Sequence, residues 1–428
     1  MNHACESCAF SPIEQLRATA DRQLSANRIP VEFSPELASL TATDVSARSC
    51  RFREDLRALP CLTIDCADTQ DMDDAVGLTP ISGGWQLCVH IADVSAYVSQ
   101  GSALEAAALE RGTSIYLPHQ TIPMLPAVLS NDLCSLNPQA DRRALSVLTE
   151  LNRDGTVRSC RIVKSLIRSR VKGVYPEVDD LLAGRGSEDI RQKYAAVSAS
   201  LPEMHALAQI LRRRRDESGA ELSDNTVSRP VVREGRISFS VERQGPAESM
   251  IEEFMVLTNR LVAEYMRDHA LPAIFRVQSA RGRLARYTAA EGRHAALALD
   301  HYAHFTSPIR RLADLKIHQV LTAHLDGADS DSLWERFGED LQQAAERATR
   351  CENRSDQVCL SCRKFCAGQF LLPLQDREFT ADVVGRSFQN RPIFLLDEWR
   401  LRVVGRAGLQ ACQGLHVALR LKIGRAHV

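Results

Sequence analysis

The stretch that decides the reading of this chain is Thr63-Ile-Asp65-Cys-Ala-Asp68-Thr-Gln-Asp71-Met-Asp73-Asp74-Ala-Val76. Five aspartates fall within ten residues. Like charges packed this closely in a folded chain are unfavourable unless protons or cations neutralise them. Hard oxygen ligands at this density suit Mg²⁺ or Mn²⁺, which bind carboxylates, water and substrate phosphates. Two such ions can hold the attacking and the leaving oxygen of an in-line phosphoryl displacement. The stretch therefore points to metal-dependent cleavage of a phosphodiester. Asp-rich segments also serve as solvated loops or calcium sites. This one lacks the Asp-x-Asp-x-Asp-Gly spacing of an EF-hand loop. It also has an apolar entry, Leu62 to Ile64, and an apolar exit, Ala75 and Val76.

The totals set outer bounds. A length of 428 residues suits two or three domains, or one large domain with an appendage. Lys+Arg is 53 and Asp+Glu is 54, a formal net charge of −1. That balance argues against a globally basic coat for nucleic acid but leaves room for a local basic channel. Aromatic content is 5%, so base stacking must rest on few residues. No apolar run approaches a membrane span of roughly 18 residues, and no membrane partner is expected. The start, Met1-Asn-His-Ala-Cys, lacks a secretory pattern, so the expected place of action is the cytoplasm. Thirteen cysteines in a long chain are not a disulfide framework. Cys5 and Cys8 could clip a metal. Cys359, Cys362 and Cys366, with Cys351 upstream, look like zinc ligands at first sight, but their i, i+3, i+7 spacing is one face of a helix.

Along the chain, 1–50 reads as an N-terminal arm with one helix, opened by Ser11-Pro12 and running to about Asn27. The half from 51 to 170 is strand-rich: Leu87 to Ala92, Leu145 to Leu151, and Val157 to Val163 after a turn at Asn152-Arg-Asp-Gly155. A long helical pattern covers 187–215 and ends in Arg212-Arg-Arg-Arg215. Further helices are predicted over 249–269, Ala313 to Leu325 and Leu333 to Leu371. From Asp376 the pattern becomes short strands: Phe379–Val384, Ile393–Leu396, Leu401–Val404 and Val417–Leu421, as in a small β-barrel. The final Ile423-Gly-Arg-Ala-His-Val428 matches what a common sequencing adapter encodes in one frame. We therefore expect 423–428 to be an assembly artefact and the barrel to be cut short; a genuine basic tail is the alternative.

The aspartate stretch does not stand alone. Val89-His-Ile-Ala-Asp93-Val-Ser follows, then Arg111-Gly-Thr-Ser-Ile-Tyr-Leu-Pro118, Ile122-Pro-Met-Leu-Pro126 and Leu129-Ser-Asn-Asp-Leu-Cys-Ser-Leu-Asn-Pro138. Later come Ile251-Glu-Glu-Phe-Met255 and Tyr302-Ala-His-Phe-Thr-Ser-Pro-Ile-Arg-Arg311. In this order the blocks resemble the catalytic domain of the bacterial ribonuclease II and ribonuclease R (RNB-type) family, from about Arg53 to about Leu371. The resemblance implies an α+β fold: a 51–371 catalytic domain with a mixed sheet packed by helices, then an OB-fold-like RNA-binding barrel over 372–428. It implies a 3′→5′ exoribonuclease that hydrolyses single-stranded RNA to nucleoside 5′-monophosphates, acting as a monomer with Mg²⁺ or Mn²⁺.

It also implies site residues. Asp65, Asp71, Asp73 and Asp74 match the family's four metal-holding aspartates, with Asp73 the one catalysis depends on most; Asp68 is extra. Arg310 matches the arginine that grips the scissile phosphate, where a planar fork suits the task. Arg311 is expected as its helper on RNA, and Glu352 as a glutamate near the metals. Tyr175, in Arg168-Ser-Arg-Val-Lys-Gly-Val-Tyr175, matches a tyrosine that stacks on the 3′-terminal base. One of Glu252 and Glu253, with Glu252 favoured, would accept a hydrogen bond from the ribose 2′-OH. His90 and Asp93 read as structural.

Departures from the family pattern are clear. Only about 50 residues precede the catalytic segment, where the family carries two cold-shock-type barrels. The helical insert between Arg276-Val-Gln278 and Tyr302 is cut to about two dozen residues, so a pocket wall is expected to be missing or rebuilt. Ser218-Gly-Ala220 is followed by Glu-Leu-Ser-Asp, with no aromatic for a second stacking partner. The rival readings are a catalytically impaired RNA-binding relative, which the retained aspartates and Arg310 disfavour, and a nuclease or phosphatase of another fold, which the ordered blocks disfavour.

Overall fold

The computed structural model describes residues 11–45, 52–221, 226–387, 389–406 and 412–420. Cys5, Cys8 and 423–428 lie outside them. From the N-terminus the elements are α1 (Pro12–Ala26), α2 (Pro35–Ala38), β1 (Glu54–Asp55), β2 (Thr63–Asp65), β3 (Asp74–Ile81), β4 (Gly84–Ala92), α3 (Ala103–Arg111), β5 (Ile115–Leu117), β6 (Gln120–Ile122), β7 (Arg142–Asn152), β8 (Val157–Ile167) and β9 (Lys172–Val174). Then follow α4 (Tyr175–Leu182), α5 (Glu188–Lys193), α6 (Leu201–Glu217), β10 (Thr226–Arg233), β11 (Arg236–Arg243), α7 (Pro246–Asp268), β12 (Phe275–Val277), β13 (Arg286–Thr288), α8 (Leu312–Leu325) and α9 (Ser330–Leu371). The last strands are β14 (Glu378–Arg386), β15 (Pro392–Leu396), β16 (Arg402–Val404) and β17 (His416–Arg420).

Five strands in the order β1-β8-β7-β4-β3 form the main sheet. Its middle is antiparallel, with Val89 opposite Val147 and Val147 opposite Ile162. The run Leu87-Cys-Val-His-Ile-Ala92 is buried throughout, as an unbroken apolar strand requires. One apolar core joins this sheet to α7 through Phe254 and Leu257, to α8 through Leu315 and Leu321, and to the first half of α9 through Phe337 and Leu341.

Helix α1 is held against the rest of the fold. Ser11 caps α1: its hydroxyl accepts from the amide of Glu14, whose carboxylate accepts from the amide of Ser11 at 2.7 Å. Leu16, Ala20 and Leu24 of α1 then pack on the second half of α9. There Val358, Cys362 and Cys366 form one buried stripe, so these cysteines serve as small apolar side chains, as their helical spacing predicts.

The expected helix over 187–215 is two helices. The chain leaves α5 at Tyr194 and restarts at Leu201, because Pro202 has no amide to give and its ring clashes with the preceding turn unless it opens a helix. The hairpin of β10 and β11 was not anticipated. Its two-residue turn, Glu234-Gly235, has positive φ at both positions, the geometry that matches the twist of the flanking strands. The four terminal strands pair in the order β16-β15-β14-β17 around Phe379, Ala381 and Phe394. This small sheet agrees with the expected OB-like end, although among the described residues it does not close into a barrel.

Candidate active site

Backbone pairing gathers the aspartates. Leu62 and Val76 exchange two main-chain hydrogen bonds of 3.0 and 2.9 Å, so β2 and β3 run antiparallel side by side. Asp65 ends β2 and Asp74 begins β3, which puts the two carboxylates at the same end of the pair. On the other side β2 runs parallel to β9, with Asp65 level with Val174. A side chain at Gly173 would meet the carbonyl oxygen of Thr63 at 2.5 Å, so only glycine allows this approach. It sets Tyr175, the next residue but one, beside the cluster. Burial raises the pKa of the Tyr175 hydroxyl, and the charges of Asp74 and Asp65 raise it further.

The loop between the strands places the remaining aspartates. Asp71 accepts a 2.8 Å hydrogen bond from the hydroxyl of Tyr116. Asp73 is 3% exposed, and both its oxygens are engaged. Oδ1 accepts from the amide of Ile309 at 2.8 Å, and Oδ2 from Nε of Arg310 at 3.2 Å. Asp68 stays exposed at the outer side of the loop.

The segment that meets Asp73 is itself pinned from behind. The buried amide of Asn259 on α7 accepts from the backbone amide of Phe305 at 2.8 Å and donates to the Tyr302 hydroxyl at 3.1 Å. Asp314, fully buried at the start of α8, accepts from the amide of Ser307 at 2.8 Å.

Asp65 and Asp74 offer free oxygens to a divalent cation, although no three of the four aspartates bring ligand atoms within 4.8 Å of one another. Oδ2 of Asp65 and Oδ2 of Asp74 are buried and have no hydrogen-bond donor. Burial raises the Asp65 carboxyl to about 6, against the pull of Arg310. It raises Asp73 to about 7, again against Arg310. Asp74 is pushed well above the usual carboxylate range by burial, then by Asp65 and Asp73. Two acceptors without donors, among carboxylates that resist ionising together, are the environment a hard cation stabilises.

The structure sorts the remaining sequence expectations. Arg310 is brought to the cluster, with Nη2 on the Ser307 hydroxyl at 2.9 Å and 44% of its side chain exposed. A phosphate can therefore reach it. Arg311 is turned elsewhere: Nε and Nη2 clasp both oxygens of Asp314 at 2.9 and 2.7 Å. Glu352 does not touch the aspartates. It pairs with Nη1 of Arg276 at 2.6 Å, and that guanidinium lies 4.4 Å over the ring of Tyr287. Glu252 is held by Arg215 at 2.5 Å and by Gln244 at 2.8 Å. The same Arg215 nitrogen holds the buried Glu253 at 2.6 Å.

Two residues at the site carried no role in the sequence reading. Tyr116 sat in a quoted block, and a tyrosine in an otherwise apolar strand was the available signal. Asn259 had none, since its partners lie more than 40 residues away.

Comparison with known proteins bears on this geometry. The family model described as RNB domain matches residues 53–284 and 282–327. The chain belongs to the RNB domain family. Ribonuclease R of Vibrio cholerae is 32% identical over 394 residues, covering 77% of this chain and 48% of that protein. Ribonuclease R of Thermotoga maritima is 33% identical over 391 residues, covering 77% of this chain and 55% of that protein. The chain thus spans about half the length of the curated relatives it matches. Among solved structures, Mycoplasma genitalium RNase R in complex with ribose-methylated single-stranded RNA superposes with a TM-score of 0.86 at 21% identity, covering 96% of this chain and 76% of that one. A yeast pseudonuclease superposes at 0.66 with 18% identity, covering 90% and 55%. These structural likenesses speak to the fold, so RNB-type chemistry in this chain has to be argued from the carboxylates. Among the described residues no helix is long and apolar enough to cross a membrane.

Proposed function

We propose that this chain is a metal-dependent 3′→5′ exoribonuclease, which shortens single-stranded RNA one nucleotide at a time and releases nucleoside 5′-monophosphates in the cytoplasm. The observation that carries the reading is the pair of buried, donor-less oxygens on Asp65 and Asp74 beside a half-exposed arginine.

Asp65, Asp71, Asp73 and Asp74 would hold the divalent cation, with Mg²⁺ or Mn²⁺ preferred because every donor is a carboxylate oxygen. Bound there, such ions lower the pKa of a water and neutralise charge on a phosphoryl group. The chain's own residues do the rest. Arg310 is fixed through Asp73 and Ser307, so its remaining N–H donors point at one place and can take a non-bridging phosphate oxygen. Asp73 acts through that orientation as well as through its charge. Tyr175 presents an aromatic ring beside the carboxylates, and Tyr116, 49% exposed, is anchored to Asp71 through its hydroxyl. Together they offer stacking surfaces to a terminal base. Glu252, with one oxygen on Arg215 and the other on Gln244, would accept from a ribose hydroxyl through a remaining lone pair. Glu352 and Arg311 brace Arg276 and Asp314. Residues 51–371 form the catalytic unit in this proposal, and 372–428 an accessory RNA-binding sheet.

The test is 5′-labelled single-stranded RNA with Mg²⁺, with an EDTA arm and Asp73→Asn in parallel. A ladder shortening from the 3′ end, absent in both controls, is the expected result. Intact RNA that still shifts on a native gel would make the chain an RNA-binding relative without chemistry.

A further inference from the structure

A second cavity, of about 550 Å³, opens between α6, α7 and the turn joining β7 to β8. None of the four clustered aspartates lines it, nor do Tyr116, Tyr175 or Arg310. One wall is Ala298 and Leu299, from the segment that is shortened relative to the family pattern. Its volume falls in the range of small-molecule sites, about 300–1,000 Å³.

The lining is rich in donors without acceptors. Arg215 is 9% exposed, and it meets Glu252 and Glu253 through Nη2 alone. Its Nε is buried with no hydrogen-bond partner. Nε of Arg260 is also buried without a partner, with the nearest carboxylate oxygen, on Glu264, at 3.7 Å. Arg214 makes no ion pair among the described residues; one of its nitrogens reaches the carbonyl of Asp154 at 3.5 Å. Thr156 and Ser218 also line it, with their hydroxyls already donated to Asp154 and to the Arg215 carbonyl. The acceptors in the wall are already engaged or face water: Glu253 holds Arg215, and Glu217 is exposed. A buried N–H left unsatisfied costs about 1–3 kcal/mol, which an acceptor-only ligand recovers. Val157, Leu211, Leu257 and Leu299 supply the apolar part of the lining, which holds no aromatic ring.

We propose that this cavity is a binding site for a phosphate monoester: the guanidiniums of Arg214, Arg215 and Arg260 take the phosphate, and the apolar wall takes the organic body. Arginine forks match phosphate geometry, and the ligand needs no metal. None of the four aspartates lines the site, which meets the proposed RNA site only through Arg215 and its bond to Glu252 and does not depend on the hydrolytic reading.

The experiment is equilibrium dialysis or calorimetry on the whole chain in EDTA, so that no cation can hold phosphate at the aspartates. The probes are AMP, inorganic phosphate and adenosine. AMP is expected to bind with a Kd of about 1 mM or tighter, and at least about tenfold more tightly than either part alone. Arg260→Gln and Arg214→Gln, both at partly or fully exposed positions, should each weaken AMP binding about tenfold while melting like the parent. No saturable AMP binding would overturn the proposal. So would AMP that binds no better than inorganic phosphate, or binding that both variants retain. The RNA ladder assay reads a different site, so its failure would leave this result standing.

Discussion

Asp65→Asn should make the metal-free protein more stable and the metal-loaded protein comparatively less so. In the wild type the Asp65 carboxyl is raised from 3.8 to about 6, chiefly by burial. At neutral pH the chain therefore holds an ionised group in a place that disfavours it, and two pKa units correspond to about 3 kcal/mol. Asparagine is nearly isosteric and uncharged, so it removes that cost. The sign with pH follows. A group whose folded pKa is raised lends stability below its unfolded value, and that stability is lost as pH rises through the folded value. The advantage of the variant should thus be absent near pH 4 and open fully by about pH 7. By scaling with chain length, each kcal/mol moves the melting midpoint of a protein this size by roughly 1–2 °C, so the variant should melt about 3–6 °C higher in EDTA. Saturating Mg²⁺ or Mn²⁺ should reverse the order. A cation at a thousand times its Kd adds about 4.1 kcal/mol to the wild type, more than the ~3 kcal/mol by which the variant leads in EDTA, and the variant has lost a ligand. The assay is a thermal melt of both proteins at several pH values, with EDTA or with metal. An Asp65→Asn protein that melts below wild type in EDTA at neutral pH would refute the reasoning, because Oδ2 would then have a donor after all. A wild type that neither metal stabilises would refute it from the other side.

The neighbouring arginines should separate cleanly. Arg310→Ala should lower the single-turnover rate by about 10²–10³-fold through the loss of charge-assisted bonds, with a modest change in melting because Asp73, already raised to about 7, can take up a proton in its place, whereas Arg311→Ala leaves buried Asp314 uncompensated and should cost about 3–5 kcal/mol of stability. Equal effects of the two on melting would contradict the assignment. Tyr116→Phe keeps the ring and removes the donor to Asp71, so the metal midpoint for activity should shift a few-fold, consistent with about 1 kcal/mol, while the cleavage ladder keeps its pattern. Leu24→Ala empties the contact between α1 and α9; a loss of about 2–4 kcal/mol is expected there, read as faster hydrogen exchange in residues 12–26 than in the main sheet. Uniform exchange after that change would mean that α1 is not a separate unit of stability.

Much of the fold was legible because it is written in local patterns. The run Leu87 to Ala92, the capped start at Ser11-Pro12 and the cysteine face of α9 each carry their periodicity within one turn or strand. What the sequence hid was set by distant or angular relations. Arg310 and Arg311 are adjacent, but Arg311 has extended backbone, φ −136° and ψ 127°, so the two side chains diverge. One reaches Asp73 and the other Asp314. Glu352 could be placed on a helix but not beside Arg276, a partner 76 positions upstream. Glu252 and Glu253 look like alternatives in sequence, and one guanidinium holds both. The aspartates were legible in number and spacing, while their burial was not, and burial is what turns them into a site. Exposed, four carboxylates would ionise separately and bind a cation weakly. Here Ile309 and Arg310 satisfy Asp73, Tyr116 satisfies Asp71, and one oxygen each of Asp65 and Asp74 is left with no partner. The fold therefore leaves the cluster short of positive charge by its own means, with Asn259 and Asp314 keeping the Ser307–Arg310 segment from moving in to supply more. The instability of the empty site and the affinity of the site for a cation then have one physical cause, which is why the melt of Asp65→Asn and the RNA ladder of Asp73→Asn test the same arrangement by unrelated observables.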